Sequence, residues 1–176
     1  MLKSKLKDVK IEPLSEKTLK GSLKLLDKVF GRNKKDKERY HNAFPGSLDM
    51  KNYVLLNNKK EKPDYLQYYI AIDKKSKKVI GTTGLYSYPE YKDKKLGLGW
   101  YCIDPKFRGK GIGSFLLDFT IQKAREKQKK ILELWTTKNP KEEKAHLIYK
   151  NKGFKIVKRE KWPDEKYEII YMQLKL

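Results

Sequence analysis

One cysteine, Cys102, stands in a chain of 176 residues, so no intrachain disulfide can form. The default compartment is therefore a reducing, cytoplasmic one. Cys102 falls in a run that reads as an apolar strand, where a thiol is an inert core residue rather than a nucleophile. Long hydrophobic runs are missing too. None reaches the ~18–20 apolar residues of a membrane-spanning helix, and the basic stretch 3–10 lacks the apolar core of a signal peptide. Arginine is scarce: five of the 43 basic residues, at positions 32, 39, 108, 125 and 159, the rest being lysine. Proteins that read bases or clamp phosphates favour arginine for its planar fork, so this balance argues against a dedicated nucleic-acid reader. Acids are also few, 22 against those 43, which leaves a formal net charge of +21.

The lysines are scattered rather than clustered, as in Lys34-Lys35, Lys59-Lys60, Lys74-Lys75, Lys77-Lys78 and the stretch 127–130. Two explanations stay open. One is a compositional bias that keeps the surface solvated; the other is attraction to an acidic partner such as RNA, the ribosome or an anionic protein surface. Beyond this bias no internal repeat or low-complexity domain is present. The length suits one domain, residues 1–176, with a core large enough to need no staples.

The stretch 104–113, Asp-Pro-Lys-Phe-Arg-Gly-Lys-Gly-Ile-Gly, carries the most information. Residues 96–103 before it read as a buried strand. After it, Ile112, Phe115, Leu116 and Phe119 recur at helical spacing and mark an apolar face. A strand, a glycine-rich turn and a helix start together make an anion cradle: the backbone can approach closely, its first N–H groups lack intrahelical partners, and the helix dipole favours negative charge. Lys106, Arg108 and Lys110 add positive charge. The expected ligand is a phosphate, a pyrophosphate above all; the bland reading is a tight strand–helix turn. Gly113 is followed by Ser114-Phe115, which excludes a P-loop, and the glycines at 109, 111 and 113 do not meet the dinucleotide spacing. Downstream, residues 132–137 read as a strand and 141–152 as a helix that runs into Ile148-Tyr149-Lys-Asn-Lys-Gly153-Phe154. Gly153 suits a residue just past a helix end.

Arg-x-x-Gly-x-Gly at 108–113 after a hydrophobic-Asp-Pro, followed by an apolar-Tyr-x-x-x-Gly-Phe segment, resembles the GCN5-related N-acetyltransferase (GNAT) family. The resemblance spans roughly residues 8–176, with 95–155 carrying nearly all its specificity. It implies an α/β fold: a single-domain mixed sheet with a splayed pair of parallel central strands, flanked by helices. Acetyl-CoA is the implied co-substrate, its pantetheine arm filling the splay. Backbone groups of Cys102 and Ile103 would bond the pantetheine amides. Arg108, Gly109, Lys110, Gly111, Ile112, Gly113 and Ser114 would hold the pyrophosphate, with Lys106 and Lys110 as attractors. The implied reaction is direct attack of a neutral primary amine, from a small molecule or a protein, on the thioester. A backbone N–H near Ile103 would steady the oxyanion, and Tyr149 would protonate the leaving thiolate. The alternative for Tyr149 is a core aromatic.

Several relatives carry a glutamate where this chain has Gly97, so the general base is not assigned by the resemblance. Glu133, or Glu90 and Asp93 through a water, are the candidates. Asn139 also departs in spacing from the asparagine that relatives use on CoA. Acceptor walls are expected from the variable segment 31–64, from 86–93 and from the turn at Trp162. A second functional reading is a basic RNA- or ribosome-associated protein that keeps the fold without a catalytic role. The oligomeric state is not written in the sequence, a dimer being compatible with it.

Periodicity supplies the element order β–α–α–β–β–β–α–β–α–β–β. Residues 9–13 read as a strand, and a helix capped by Ser15, without a capping box at Thr18, carries Leu19, Leu23, Leu26, Val29 and Phe30. A turn is expected at 41–46 and a short helix near 48–55. Strands follow at 65–72, 79–86 and 95–103, and a hairpin pairs 154–161 with 167–176 around Trp162-Pro163-Asp164.

Overall fold

A computed structural model of the chain describes residues 6–31, 33–54, 62–91, 94–163 and 166–176. Seven strands form one sheet in the order β1-β2-β3-β4-β5-β7-β6: β1 Val9–Pro13, β2 Tyr65–Asp73, β3 Val79–Ser87, β4 Lys95–Ile103, β5 Ile131–Thr137, β6 Lys155–Glu160 and β7 Ile169–Lys175. Among the described residues four α-helices accompany them: α1 Glu16–Phe30, α2 Lys34–Leu48, α3 Ile112–Glu126 and α4 Glu143–Asn151. All neighbouring strands run antiparallel except β4 and β5, the parallel pair. No described helix is long and apolar enough to cross a membrane.

The two faces of the sheet are covered by different helices. Leu25 and Leu26 of α1 and Tyr40 and Phe44 of α2 pack with Tyr68, Ile70 and Cys102 on one face. On the other, Leu117, Ile121 and Ala124 of α3 and Tyr149 of α4 pack with Leu85, Leu96, Leu98, Leu132 and Leu134. Strand alternation sorts these residues, odd and even positions going to opposite faces.

Four local expectations change. The expected turn at 41–46 is the second half of α2, with Pro45 inside it. Burial of Tyr40, Ala43 and Phe44 at i, i+3 and i+4 outweighs the proline, whose lost bond falls near the helix end. The short helix near 48–55 is a 3₁₀ turn at Met50–Asn52, capped by Asp49 and ended at Tyr53, and Leu55 lies outside the described residues. Thr18 does complete half a capping box, its Oγ1 accepting the Ser15 N–H at 3.0 Å in the role usually given to Glu or Gln. The buried face of α3 is Ile112, Leu116, Leu117, Thr120, Ile121 and Ala124. Phe115 is exposed, and Phe119 packs edge-on against Tyr69.

Candidate active site

β4 and β5 pair only at Lys95↔Ile131, Leu96↔Leu132 and Gly97↔Glu133. Beyond Gly97 both strands continue, to Ile103 and Thr137, without pairing to each other. A β-bulge sits at the start of this divergence. Gly84 pairs with Gly99 and Thr82 with Cys102, so Trp100 and Tyr101 together oppose Thr83. Trp100 takes the positive φ of 45°, an uncommon conformation for a bulky residue. It is held by the Thr82 hydroxyl on its carbonyl at 2.6 Å and by edge-on contacts of its ring with Phe30 and Tyr40. The extra residue shifts the alternation, so Gly99 and Trp100 share the α1/α2 face while Tyr101 turns to the α3/α4 face beside Tyr149.

The bulge also decides which backbone groups meet the gap. The Asp104 N–H donates to the Ile80 carbonyl at 2.8 Å. In an antiparallel ladder the facing residues alternate, so Cys102 spends its backbone groups on β3, while Ile103 and Tyr101 turn theirs toward β5. Of the two residues expected to offer backbone groups there, Ile103 does so and Cys102 does not. Tyr101, which sequence reasoning missed, takes the second position. The Ile103 carbonyl accepts from Arg108 Nε at 3.1 Å. Cys102 is a buried free thiol, pushed up to about 11 by burial, and is no nucleophile at neutral pH.

At the end of β4, Asp104 caps the 3₁₀ turn Pro105–Phe107 by accepting the Lys106 N–H, and it also holds Lys28 at 2.7 Å. Partial burial works against its carboxylate, but Lys28 and the Lys106 N–H outweigh that and keep its pKa below the ordinary value. The loop then turns through Gly109 and Gly111, both with positive φ (74° and 79°), and Gly111 caps α3. A Cβ on Gly113 would meet the Tyr101 hydroxyl at 2.9 Å. That hydroxyl is buried without a hydrogen-bond partner among the described residues. Bare glycine backbone, a helix start and an unsatisfied donor thus meet at one end of the gap, as a phosphate-bearing ligand requires. Lys110 leans over the Phe107 ring at 4.9 Å.

Tyr149 reaches the gap from α4. Phe154 N–H donates to the Tyr149 carbonyl at 3.1 Å and Gly153 N–H to the Lys150 carbonyl at 2.9 Å, with Gly153 at φ 89°. This is a Schellman stop. The Tyr-x-x-x-Gly-Phe spacing is the spacing of that stop, and it pins Tyr149 against Tyr101 and Phe154, each 5.8 Å away between ring centres. The Tyr149 ring is buried, but its hydroxyl has no bonding partner among the described residues. Burial, and then Tyr101, hold the phenol well above its ordinary pKa, so at neutral pH it is a proton donor.

A cleft of about 610 Å³ opens over the gap. Its floor is Tyr68 and Tyr86, whose rings lie where Cβ atoms on Gly84 and Gly97 would collide with them. Residues from 31–64 (Asp36, Arg39 and Tyr53 among them), Tyr88, Trp135, Thr136, Thr137, Glu142 and Trp162 line its walls. Glu133 is not among them. It stands opposite Gly97, at the last pair before the strands part, one oxygen 3.0 Å from Lys95 Nζ and the other bonded to the Gln173 amide. Glu90 is exposed outside the cleft, and Asp93 lies outside the described residues. Glu142, which lines the cleft beside β5, was missed from sequence; it accepts the Thr136 hydroxyl and both the N–H and hydroxyl of Thr137. Asn139 spends its side chain capping the 3₁₀ turn Pro140–Glu142.

The fold has close counterparts among solved structures. An acetyltransferase from Streptococcus agalactiae is 23% identical with a TM-score of 0.66, covering 95% of this chain and 99% of that one. The ribosomal-protein-S18-alanine N-acetyltransferase from Escherichia coli is 14% identical with a TM-score of 0.68, covering 95% and 93%. A GNAT family acetyltransferase from Elizabethkingia anophelis, with acetyl-CoA bound, is 20% identical with a TM-score of 0.63, covering 96% and 99%. No curated protein matches the chain by sequence. At these identities the structures speak for the fold alone. The sequence profile of the acetyltransferase (GNAT) family matches residues 36–154, which include the splayed strands, the glycine loop and the Tyr149 helix. This chain belongs to the acetyltransferase (GNAT) family.

Proposed function

We propose that the protein moves an acetyl group from acetyl-CoA to a primary amine by direct attack. The observation that carries this is the meeting, in one gap, of β4 backbone at Tyr101 and Ile103 without a β5 partner, the Gly109–Gly111–Gly113 loop, and the Tyr149 hydroxyl, which has no bonding partner among the described residues. The pantetheine amides bond Ile103 in place of the missing strand partner, and the pyrophosphate rests on backbone N–H groups of 109–114. The Tyr101 hydroxyl, orphaned beside Gly113, is placed to donate to this end of the ligand.

The amine lone pair attacks the thioester carbon, forming C–N as C–S breaks. Backbone N–H groups at the bulge steady the oxyanion. The sulfur takes a proton from the Tyr149 hydroxyl, and the nitrogen's extra proton passes through water to restore that hydroxyl. Glu133, engaged by Lys95 and Gln173, has no part in this scheme.

The test is release of free CoA thiol with saturating acetyl-CoA and an amine panel, for wild type and Tyr149→Phe. The variant keeps the ring and loses the donor. Its kcat should fall about 10²–10⁴-fold, the usual range for one acid or base, with acetyl-CoA affinity unchanged. Equal kcat values, with chemistry rate-limiting, would reduce Tyr149 to a packing residue. A protein that releases no thiol with any amine would remove the activity itself.

A further inference from the structure

The walls of the cleft differ in kind from the surface around it. Lysine dominates the chain's 43 basic residues, yet no described residue lining the cleft is a lysine. Ten of its 22 described lining residues are aromatic, including all three tryptophans of the chain. The charged side chains among them are Asp36, Arg39 and Glu142, and both acids are engaged. Asp36 pairs with Arg39 at 3.3 Å, and Glu142 is bonded to Thr136 and Thr137.

We propose, resting on the acetyl-transfer reading above, that the acceptor is a small primary monoamine with an apolar, ring-sized body, an arylalkyl- or branched alkylamine. Its body lies on the rings of Tyr53, Tyr86, Tyr88 and Trp162, and its nitrogen points down to Trp100 and the Tyr68 hydroxyl. Tyr68 is fitted to that task. Its ring is 2% exposed, its hydroxyl lies beside Gly99 at the bulge, and it has no bonding partner among the described residues. An arriving ammonium is attracted by ring faces without needing a carboxylate. Enclosure among rings then strips its water and disfavours the charged form, which does part of the work of a general base. That explains why the position of the missing glutamate can be glycine: the Tyr86 ring occupies the space above Gly97. A polyamine would bury a second ammonium with no open carboxylate among the described lining residues to receive it, near Arg39 and inside a cationic molecule.

Two measurements on the full chain decide this. Quenching of the tryptophans, all in the cleft, reports acceptor occupancy without turnover; thiol release gives kcat/KM. The acceptors are phenethylamine, isoamylamine, spermidine, glucosamine and a short peptide with N-terminal Phe, with saturating acetyl-CoA in the thiol assay and CoA in its place for quenching. Phenethylamine and isoamylamine should quench and should exceed spermidine and glucosamine in kcat/KM by at least roughly tenfold, the scale of pocket discrimination by apolar contact. Trp162 stands 38% exposed on its turn, so Trp162→Ala keeps the fold. It should lower kcat/KM for phenethylamine several-fold while acetyl-CoA affinity, measured by calorimetry, stays at the wild-type value. Preference for spermidine, glucosamine or the peptide, or a Trp162→Ala variant indifferent to phenethylamine, would overturn the proposal while leaving acetyl transfer standing. Absence of acetyl-CoA binding in calorimetry would overturn both.

Discussion

Gly97 is the residue on which the chemistry turns, because it is where a glutamate is expected and where none can fit. Its Cβ position is taken by the Tyr86 ring, so glycine here serves close approach rather than chain flexibility. Gly97→Glu should therefore destabilise the fold by about 1–3 kcal/mol or more, as over-packing does, rather than restore a base. Denaturant unfolding checks this, and adding Tyr86→Ala should recover much of the loss by clearing the space. If Gly97→Glu is as stable as wild type, the ring does not define this position. Tyr149 was legible from its spacing to Gly153-Phe154, because that spacing is a local helix stop. Tyr101 was not, since its direction depends on a bulge whose only sequence trace is the Gly97-Leu98-Gly99-Trp100 pattern. Glu133 shows the reverse: strand alternation pointed it away from the leucines but could not say that Lys95 and Gln173 wait there.

At the level of elements, the strand–loop–helix unit 95–126 does most of the positioning. Gly111 holds φ 79° at the cap of α3, a conformation strained for any β-branched residue. Gly111→Val should leave a folded protein and abolish acetyl-CoA binding, both by strain and by blocking backbone approach; calorimetry on the folded variant tests it, and unchanged affinity would displace the site from this loop. The start of the same unit is sensitive to acid. Asp104 has a folded pKa below 3.8 through Lys28 and the Lys106 N–H, despite some burial. A lowered carboxylate stabilises above its unfolded value and loses that stability as pH falls through the folded one. Wild type should thus lose stability below about pH 4, and Asp104→Asn should lose less over that window. Parallel pH–stability curves for the two proteins would dismiss the Lys28–Asp104 contribution.

For the whole molecule, the formal charge of +21 is an exterior property, since the described wall of the cleft holds no lysine. Such a surface attracts any polyanion through phosphate contacts alone. Affinity for RNA should be weak and unselective, falling by orders of magnitude between about 50 and 200 mM salt. Filter binding across salt and across unrelated RNA sequences measures it. Tight, sequence-selective binding at physiological salt would make the lysines a recognition surface and revive the reading of a nucleic-acid partner.

The sequence alone determined whatever depends on near neighbours in the chain. Strand order, the helices at 16–30, 112–126 and 143–151, the glycine loop at 109–113, the cap at Gly153 and the spacing that leads to it from Tyr149 follow from local propensity, turn chemistry and spacing, which need no tertiary partner. Tertiary structure decided what depends on groups far apart. Residues 41–46 became helix because Tyr40 and Phe44 found the sheet face; Tyr101 rather than Cys102 faced the gap because Thr83 met two residues of β4. Glu133 was tied up by Lys95 and Gln173 where the strand pair parts, and Tyr68, Tyr86, Trp100 and Trp162, spread over nearly a hundred residues of sequence, became one aromatic cleft. Such contacts are settled by packing and register, which no short window of sequence contains.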